Sequence, residues 1–154
     1  MKEIERKFLV RKEHFTPTGS QIIMTQGYLS VDPDRVVRVR REGDQAWITI
    51  KGRMEGITRP EFEYPISPED AEALLRLTLL PPVEKIRHRI TVEDTLWEVD
   101  EFLGANAGLL LAEVELENED TPFSRPAWLG EEVTHDRRYY NSQLAQHPYT
   151  QWHD

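Results

Sequence analysis

The chain contains no cysteine, which removes disulfides, thiolate metal sites and thiol nucleophiles together. No apolar run approaches the roughly 20 residues of a membrane span. The amino terminus also lacks the basic, apolar and small-residue zones of a secretory signal. A soluble cytoplasmic protein with no membrane partner is the expectation. Internal repeats and low-complexity tracts are missing too, which excludes repeat architectures. So is an excess of positive charge: the formal net charge of −9 argues against a nonspecific nucleic-acid binder. An acidic exterior can still surround a basic site, and the arginines here are clustered. Apolar residues make up only 38% against 31% charged, yet Val, Ile, Leu, Phe and Trp fall in patterned runs, so the chain reads as folded. At 154 residues it fits one domain, 1–154, with a sizeable core; two would be cramped.

What the sequence does have is alternation. Read as a strand, residues 1–10 send successive side chains to opposite faces. Glu3, Glu5 and Lys7 then share one face, and Ile4, Phe8 and Val10 the other. Arg6 falls on the apolar side, where a surface ion pair is its expected use. Residues 11–20, with Pro17 and Gly19, read as a loop or one helical turn. Residues 21–30 have strand length, and Gly27 marks a bulge or a close approach by backbone or ligand beside Tyr28. After Asp32-Pro33-Asp34, residues 35–42 place Arg38 and Arg40 on one face with Val36. Gly43-Asp44 suits a two-residue hairpin turn, because both residues tolerate positive φ. The return strand, 45–51, puts Trp47, Thr49 and Lys51 together, and residues 58–66 put Arg59, Glu61 and Glu63 opposite Phe62, Tyr64 and Ile66.

Residues 67–80 change to helical spacing. Ser67 caps, Pro68 opens the first turn, Glu69 and Asp70 complement the dipole, and Ala71, Leu74, Leu75 and Leu79 form an apolar face that Pro81-Pro82 ends. Alternation resumes over 83–92 with Lys85, Arg87 and Arg89 on one face, over 95–102 with Glu98 and Asp100, and over 110–118 with Glu113, Glu115 and Glu117. The stretch holding Pro122, Pro126 and Gly130 reads as irregular covering, and residues 136–146 as a late helix. His14, His88, His135, His147 and His153 show no metal-ligand spacing, and His88 has the parity of the apolar face.

Eight strands with short connections and a helical insert argue for an antiparallel sheet that curls or closes. The charged faces can point to water, around an apolar interior, or inward. Sorting favours attention to the second arrangement: Glu3 with Glu5, Glu61 with Glu63, Glu113 with Glu115, Arg38 with Arg40 and Lys85 with Arg87 are like-charged pairs two residues apart. Two carboxylates near 4 Å repel by about 4 kcal/mol at an effective dielectric near 20. A hard cation such as Mg²⁺ or Mn²⁺ offsets that for carboxylates, and an anion with many oxygens does so for arginines. An eight-stranded barrel has room inside for one small ligand.

These residues resemble the CYTH superfamily, also called triphosphate tunnel metalloenzymes. Glu3-Ile4-Glu5-Arg6-Lys7 is similar to its ExExK signature. Arg-Val-Arg at 38–40, Thr-Ile-Lys at 49–51, Glu-Phe-Glu at 61–63, Lys-Ile-Arg at 85–87, Glu-Val-Asp at 98–100, Glu-Val-Glu at 113–115 and the closing Glu-Val-Thr-His-Asp-Arg-Arg-Tyr follow in the family's order. Gln-Gly-Tyr-Leu at 26–29 resembles the short bacterial members, in which tripolyphosphate hydrolysis recurs. The resemblance implies an α+β fold, an eight-stranded antiparallel β-barrel with a charged lumen and a few covering helices. It implies phosphate-gripping roles for Lys7, Arg38, Arg40, Lys51, Lys85 and Arg87, with Tyr28 as a hydrogen-bond donor and either Arg137 or Arg138 as a further cation. Metal ligands would come from Glu3, Glu5, Glu61, Glu63, Asp100, Glu113 and Glu115, with Glu63, Asp100 and Glu113 around the attacking water and Lys85 also acting in catalysis. Glu98 and Arg89 share the parity but match the pattern less well. The implied activity is Mg²⁺- or Mn²⁺-dependent hydrolysis of inorganic triphosphate. A class IV adenylyl cyclase, a thiamine or nucleoside triphosphatase, and a polyphosphate or nucleotide sensor are the alternatives. A homodimer through an outer barrel face is compatible with this fold.

Overall fold

The computed structural model describes residues 2–152. Met1, where the sequence reading starts the first strand, and His153 lie outside the described residues. Strands β1 (Lys2–Val10), β2 (Ser20–Ser30), β3 (Arg35–Glu42), β4 (Gln45–Gly52), β5 (Thr58–Ile66), β6 (Val83–Val92), β7 (Thr95–Phe102) and β8 (Leu110–Glu115) form one antiparallel sheet in the order β5-β4-β3-β2-β6-β7-β8-β1. β1 closes it into a barrel by pairing on two sides. Lys2, Glu3 and Ile4 lie opposite Pro60, Arg59 and Thr58 of β5, while Glu5 to Leu9 pair with β8. Gly43-Asp44 makes the expected two-residue turn, with Glu42 opposite Gln45 and Gly43 at φ 59°.

A ninth strand, β9 (Leu129–Glu132), takes the edge of β1 beyond its pairing with β5. The sequence reading has only irregular covering here, since four residues carry too little alternation to detect. β9 forms because β1 offers free edge groups, and Val133 N–H continues the contact to the Lys7 carbonyl at 2.8 Å. A Cβ at Gly130 would sit 2.9 Å from the Leu9 carbonyl oxygen, so this approach requires glycine.

The charged faces turn inward, and one large apolar cluster lies outside the barrel wall. Phe8, Trp97, Val99, Ala112 and Val114 are packed under Phe15, Phe123 and Trp128. The Trp97 ring meets Phe8, Phe123 and Trp128 edge-on at 5.6–5.8 Å. Arg6, also outside, donates from Nε and Nη2 to the Glu132 carboxylate at 2.9 and 2.6 Å, the surface ion pair expected of it.

A second outer cluster joins Val39, Ala46 and Ile48 to Ala71, Leu74 and Leu75 of helix α1 (Pro68–Leu75). The Ser67 hydroxyl accepts from Asp70 N–H at 3.1 Å, as a cap should. The helix stops five residues before the sequence spacing predicts. Just past its end the Thr78 hydroxyl lies 2.9 Å from the Leu75 carbonyl oxygen and 3.1 Å from that of Leu80, with one hydrogen to share between them, and Leu79 is left 98% exposed. The close approach at Gly27 comes from this helix: a Cβ there would lie 2.9 Å from Leu75 Cδ2. The register of β2 against β3 slips just beyond, between Tyr28 and Ser30.

One end of the lumen is apolar. Tyr28, Val36, Val83, Phe102 and Leu111 meet Val133, Tyr139, Leu144 and Ala145 from the C-terminal segment. That segment is not the continuous helix expected over 136–146. It is a 3-10 turn (Arg137–Tyr139), an extended Tyr140 at ψ 135°, and helix α2 (Asn141–Gln146). The break puts Tyr139 and Leu144 into the plug and Asn141 at the lumen.

Candidate active site

The strand register decides which charges meet inside the barrel. It sets Lys51 opposite Glu61, Arg87 opposite Asp100, Arg89 opposite Glu98 and Lys7 opposite Glu113. It also sets Glu5 opposite Glu115 and Glu98 opposite Glu113, carboxylate against carboxylate. The lining of the central cavity includes Glu3, Glu5, Lys7, Tyr28, Arg38, Lys51, Lys85, Arg87 and Glu113, all residues expected from the sequence.

The most buried ion pair is built around Asp100. Its Oδ1 accepts from Arg87 Nε at 2.8 Å, and its Oδ2 from Lys85 Nζ at 2.8 Å and Arg87 Nη2 at 2.9 Å. Burial alone would raise this carboxyl, but the two cations hold it well below the usual range. Both oxygens accept from these cations, so Asp100 stands as the counter-ion beneath the basic wall. Lys85 is 2% exposed, and burial pushes its ammonium down to about 8 despite Asp100.

Near the β1–β5 seam, Lys51 Nζ lies 3.0 Å from Glu3 Oε1 and 3.4 Å from Glu61 Oε2. Burial pushes Glu3 upward, but the ammonium outweighs it and the carboxyl rests at about 2. Glu61 goes the other way, to about 7, through burial and the charge of Glu3. Glu113, 3.8 Å from Lys7 Nζ, is lowered, its burial outweighed by that cation.

Among the described residues, Glu5 and Arg38 both line the cavity without an ion-pair partner. Among the described residues no cation comes within ion-pair distance of Glu5, which burial, Glu113 and Glu3 push well above the ordinary carboxylate range. Arg38 makes no ion pair among the described residues either. Its Nη2 reaches Thr49 Oγ1 at 3.4 Å, and its Nε is buried with no hydrogen-bond partner. Tyr28, opposite Arg38 in the strand register, also lines the cavity, and burial raises its hydroxyl so that it stays a protonated donor.

The acidic side chains here carry the oxygen ligands that a hard divalent cation takes. Glu3 and Glu5 line the cavity, Glu61 lies beside Lys51 and Glu115 lines a neighbouring opening; burial and nearby carboxylates raise both Glu5 and Glu115. Among the described residues no three such side chains converge on one point, because Glu3 and Glu61 are turned toward Lys51.

The remaining expected residues are spread around the openings. Glu63 pairs with Arg40 at 2.9 Å, and that guanidinium lies 5.1 Å from the centre of the Trp47 ring. Glu115 lines an acidic opening with Glu98 and Glu113. Arg137 lines a chamber adjoining the cavity, with Arg53 and Arg59. Arg138 instead pairs with Asp136 at 2.7 Å and covers the rings of Tyr139 and Trp152.

Several lumen residues escape the sequence reading. Arg59, opposite Glu3, and the buried Glu42, 2.9 Å from Arg40, share parity with residues already singled out, a signal that was available. Gln26, fully buried two positions before Tyr28, is legible in the same way. Thr134, Tyr140 and Asn141 line the cavity from an irregular segment in which no periodicity points to them.

The shift at Glu61 has a measurable consequence. A carboxyl raised in the folded state binds more protons there than in the unfolded chain, so it lowers stability as pH rises from the unfolded value near 4.5 to about 7. In chelator, the thermal midpoint of Glu61→Gln should exceed that of the wild type increasingly across this window and by a constant margin above it. A pH-independent difference would show that Glu61 does not titrate there.

Comparison with known proteins agrees with this architecture. An "Inorganic triphosphatase" of Acetivibrio thermocellus is 44% identical over 149 residues, spanning 96% of each chain. One of Nitrosomonas europaea is 40% identical over 151 residues, spanning 94% of this chain and 97% of the other. A solved inorganic triphosphatase structure superposes with a TM-score of 0.65 at 38% identity, over 92% of this chain and 96% of that one. The family model for the CYTH domain matches residues 1–146, and the protein belongs to the CYTH domain family.

Proposed function

We propose that the protein is a single-domain cytoplasmic enzyme that hydrolyses inorganic triphosphate to pyrophosphate and phosphate with Mg²⁺ or Mn²⁺. The observation that carries this reading is the pair of opposite charges, Glu5 and Arg38, that face one cavity without an ion-pair partner among the described residues. A metal cation and a polyanion together satisfy both, and the curated relatives are named for that activity. Glu3, Glu5, Glu61 and Glu115 are the ligands proposed for the ion, which when bound would neutralise phosphate charge and lower the pKa of water.

Lys7, Arg38, Lys51 and Arg87 grip the phosphate chain inside the lumen, with Arg40 and Arg137 at its openings. Lys85, at about 8, is able to hold or release a proton at Nζ near neutral pH, which suits it to protonate the leaving oxygen. Glu113 lines the cavity and is the base proposed for positioning water, with Glu63 at the rim. The cavity lining is dominated by charge, with Val36 and Met54 among its few apolar members. An inorganic triphosphate suits that lining better than one carrying a nucleoside or thiamine.

Purified protein with Mg²⁺ or Mn²⁺ should release phosphate from tripolyphosphate far faster than from ATP or thiamine triphosphate, and form no cyclic nucleotide. Binding without release from any of them would make it a sensor. Arg38→Ala should raise KM for tripolyphosphate about ten- to a hundredfold, the loss expected for a charge-assisted hydrogen bond, with a smaller change in kcat. An unchanged KM would remove Arg38 from the site.

A further inference from the structure

Asn141, the first residue of α2, lines the cavity and is held by a hydrogen-bond chain of fixed polarity. Its Oδ1 accepts from Lys85 Nζ at 2.9 Å and from Gln26 Nε2 at 2.8 Å, and Gln26 Nε2 also lies 3.2 Å from the Tyr28 hydroxyl oxygen. An ammonium has only donors, so Lys85 dictates which end of the Asn141 amide faces it. The flipped amide would set nitrogen against nitrogen. Gln26 must then present its own nitrogen to the Asn141 oxygen. The cost of this order is visible at Gln26 Oε1, which is buried with no partner.

With its oxygen committed to two donors, Asn141 keeps its amide nitrogen for the cavity. Among the described residues no protein group accepts from Nδ2. A neutral amide at this place adds a directional donor without adding another charge to a lumen already crowded with ion pairs. The lysines and arginines around it attract any anion; a fixed N–H selects one with an oxygen in the right position.

We propose that Asn141 is a substrate-binding residue whose Nδ2 donates to a phosphate oxygen of the substrate, and that Gln26 is the positioning residue that keeps the amide in that orientation. The proposal rests on the triphosphatase reading for the identity of the anion. Asn141→Asp tests it, because the aspartate keeps the shape and both accepted hydrogen bonds but turns an anionic oxygen toward the substrate.

Calorimetric affinity for tripolyphosphate should fall about tenfold or more in Asn141→Asp, and KM should rise to match, with a lesser change in kcat. The thermal midpoint should not fall, since Lys85 gains a charged partner. Gln26→Met, similar in volume and without a donor, should raise KM by a smaller factor. If Asn141 merely holds Lys85 in place, Asn141→Asp will bind and turn over tripolyphosphate like the wild type, and the proposal fails. An unaltered KM in Gln26→Met overturns the part assigned to Gln26.

If Asn141→Asp does not fold, calorimetry on Asn141→Ala decides, and wild-type affinity there overturns the proposal. A wild type that binds tripolyphosphate without hydrolysing it, alongside a weakly binding Asn141→Asp, would refute the triphosphatase reading and support this one.

Discussion

Glu5→Gln is expected to abolish nearly all turnover and yet make the metal-free protein more stable. The substitution removes a buried acid whose neighbours Glu113 and Glu3 outweigh the pull of Lys51 and Lys7. Because the folded state raises this carboxyl, the wild type loses stability as pH climbs above the unfolded value near 4.5. The glutamine variant does not, so the two should coincide below that pH and separate above it. By pH 8 the gain should reach about 1 kcal/mol or more, or about 2–4 °C per kcal/mol in thermal midpoint for a chain of this size.

Turnover should drop on the order of a hundred- to a thousandfold, since the residue proposed to meet the cation has lost its charge. Added Mg²⁺ should then stabilise the wild type and leave the variant nearly unmoved. Calorimetry in chelator and a phosphate-release assay check both halves. Near-normal release would refute the metal-ligand assignment, and a variant less stable than the wild type at pH 8 would mean that Glu5 has a structural partner.

Asp100→Asn should have the opposite character. It leaves Lys85 and Arg87, 2% and 9% exposed, facing a neutral amide in place of the carboxylate that accepts three of their hydrogen bonds. Removing one member of a buried ion pair costs about 3–5 kcal/mol, which lowers the midpoint by about 6–20 °C. The sign with pH follows from the depressed folded-state value. Asp100 stabilises the fold above the unfolded value near 3.8 and ceases to as pH falls toward the folded one. The deficit of the variant should therefore be constant from pH 5 to 8 and shrink in more acidic solution. Thermal melts over that range measure it. A deficit under 1 kcal/mol at neutral pH would show that the two cations find other partners, and Asp100 would lose its place as their anchor.

Glu5 and Asp100 show where the sequence stops informing. Both are acids in alternating strands, and both match a signature of the family. One has no ion-pair partner among the described residues and the other is saturated, because Glu5 is set across from Glu115 and Asp100 across from Arg87. Nothing local to either residue distinguishes them. The Arg137–Arg138 alternative is similar: a 3-10 turn, not the expected helix, sends the first toward the chamber and the second over Tyr139 and Trp152.

The sequence by itself determined the eight barrel strands, the Gly43-Asp44 turn, the capped start of the helix and the sorting of charges onto one face of each strand. Those features depend on a side-chain period of two, or on residues within one turn of each other. The tertiary structure bore out the inward-facing charges that the family resemblance implied, through the closure of β1 on β5, and alone decided which charges find partners. It also brought Asn141 from an aperiodic segment to the ends of Lys85 and Gln26. The physical reason is range. Alternation is set by neighbours in the chain, whereas an ion pair or an amide orientation is set by a few ångströms between groups that the sequence holds far apart.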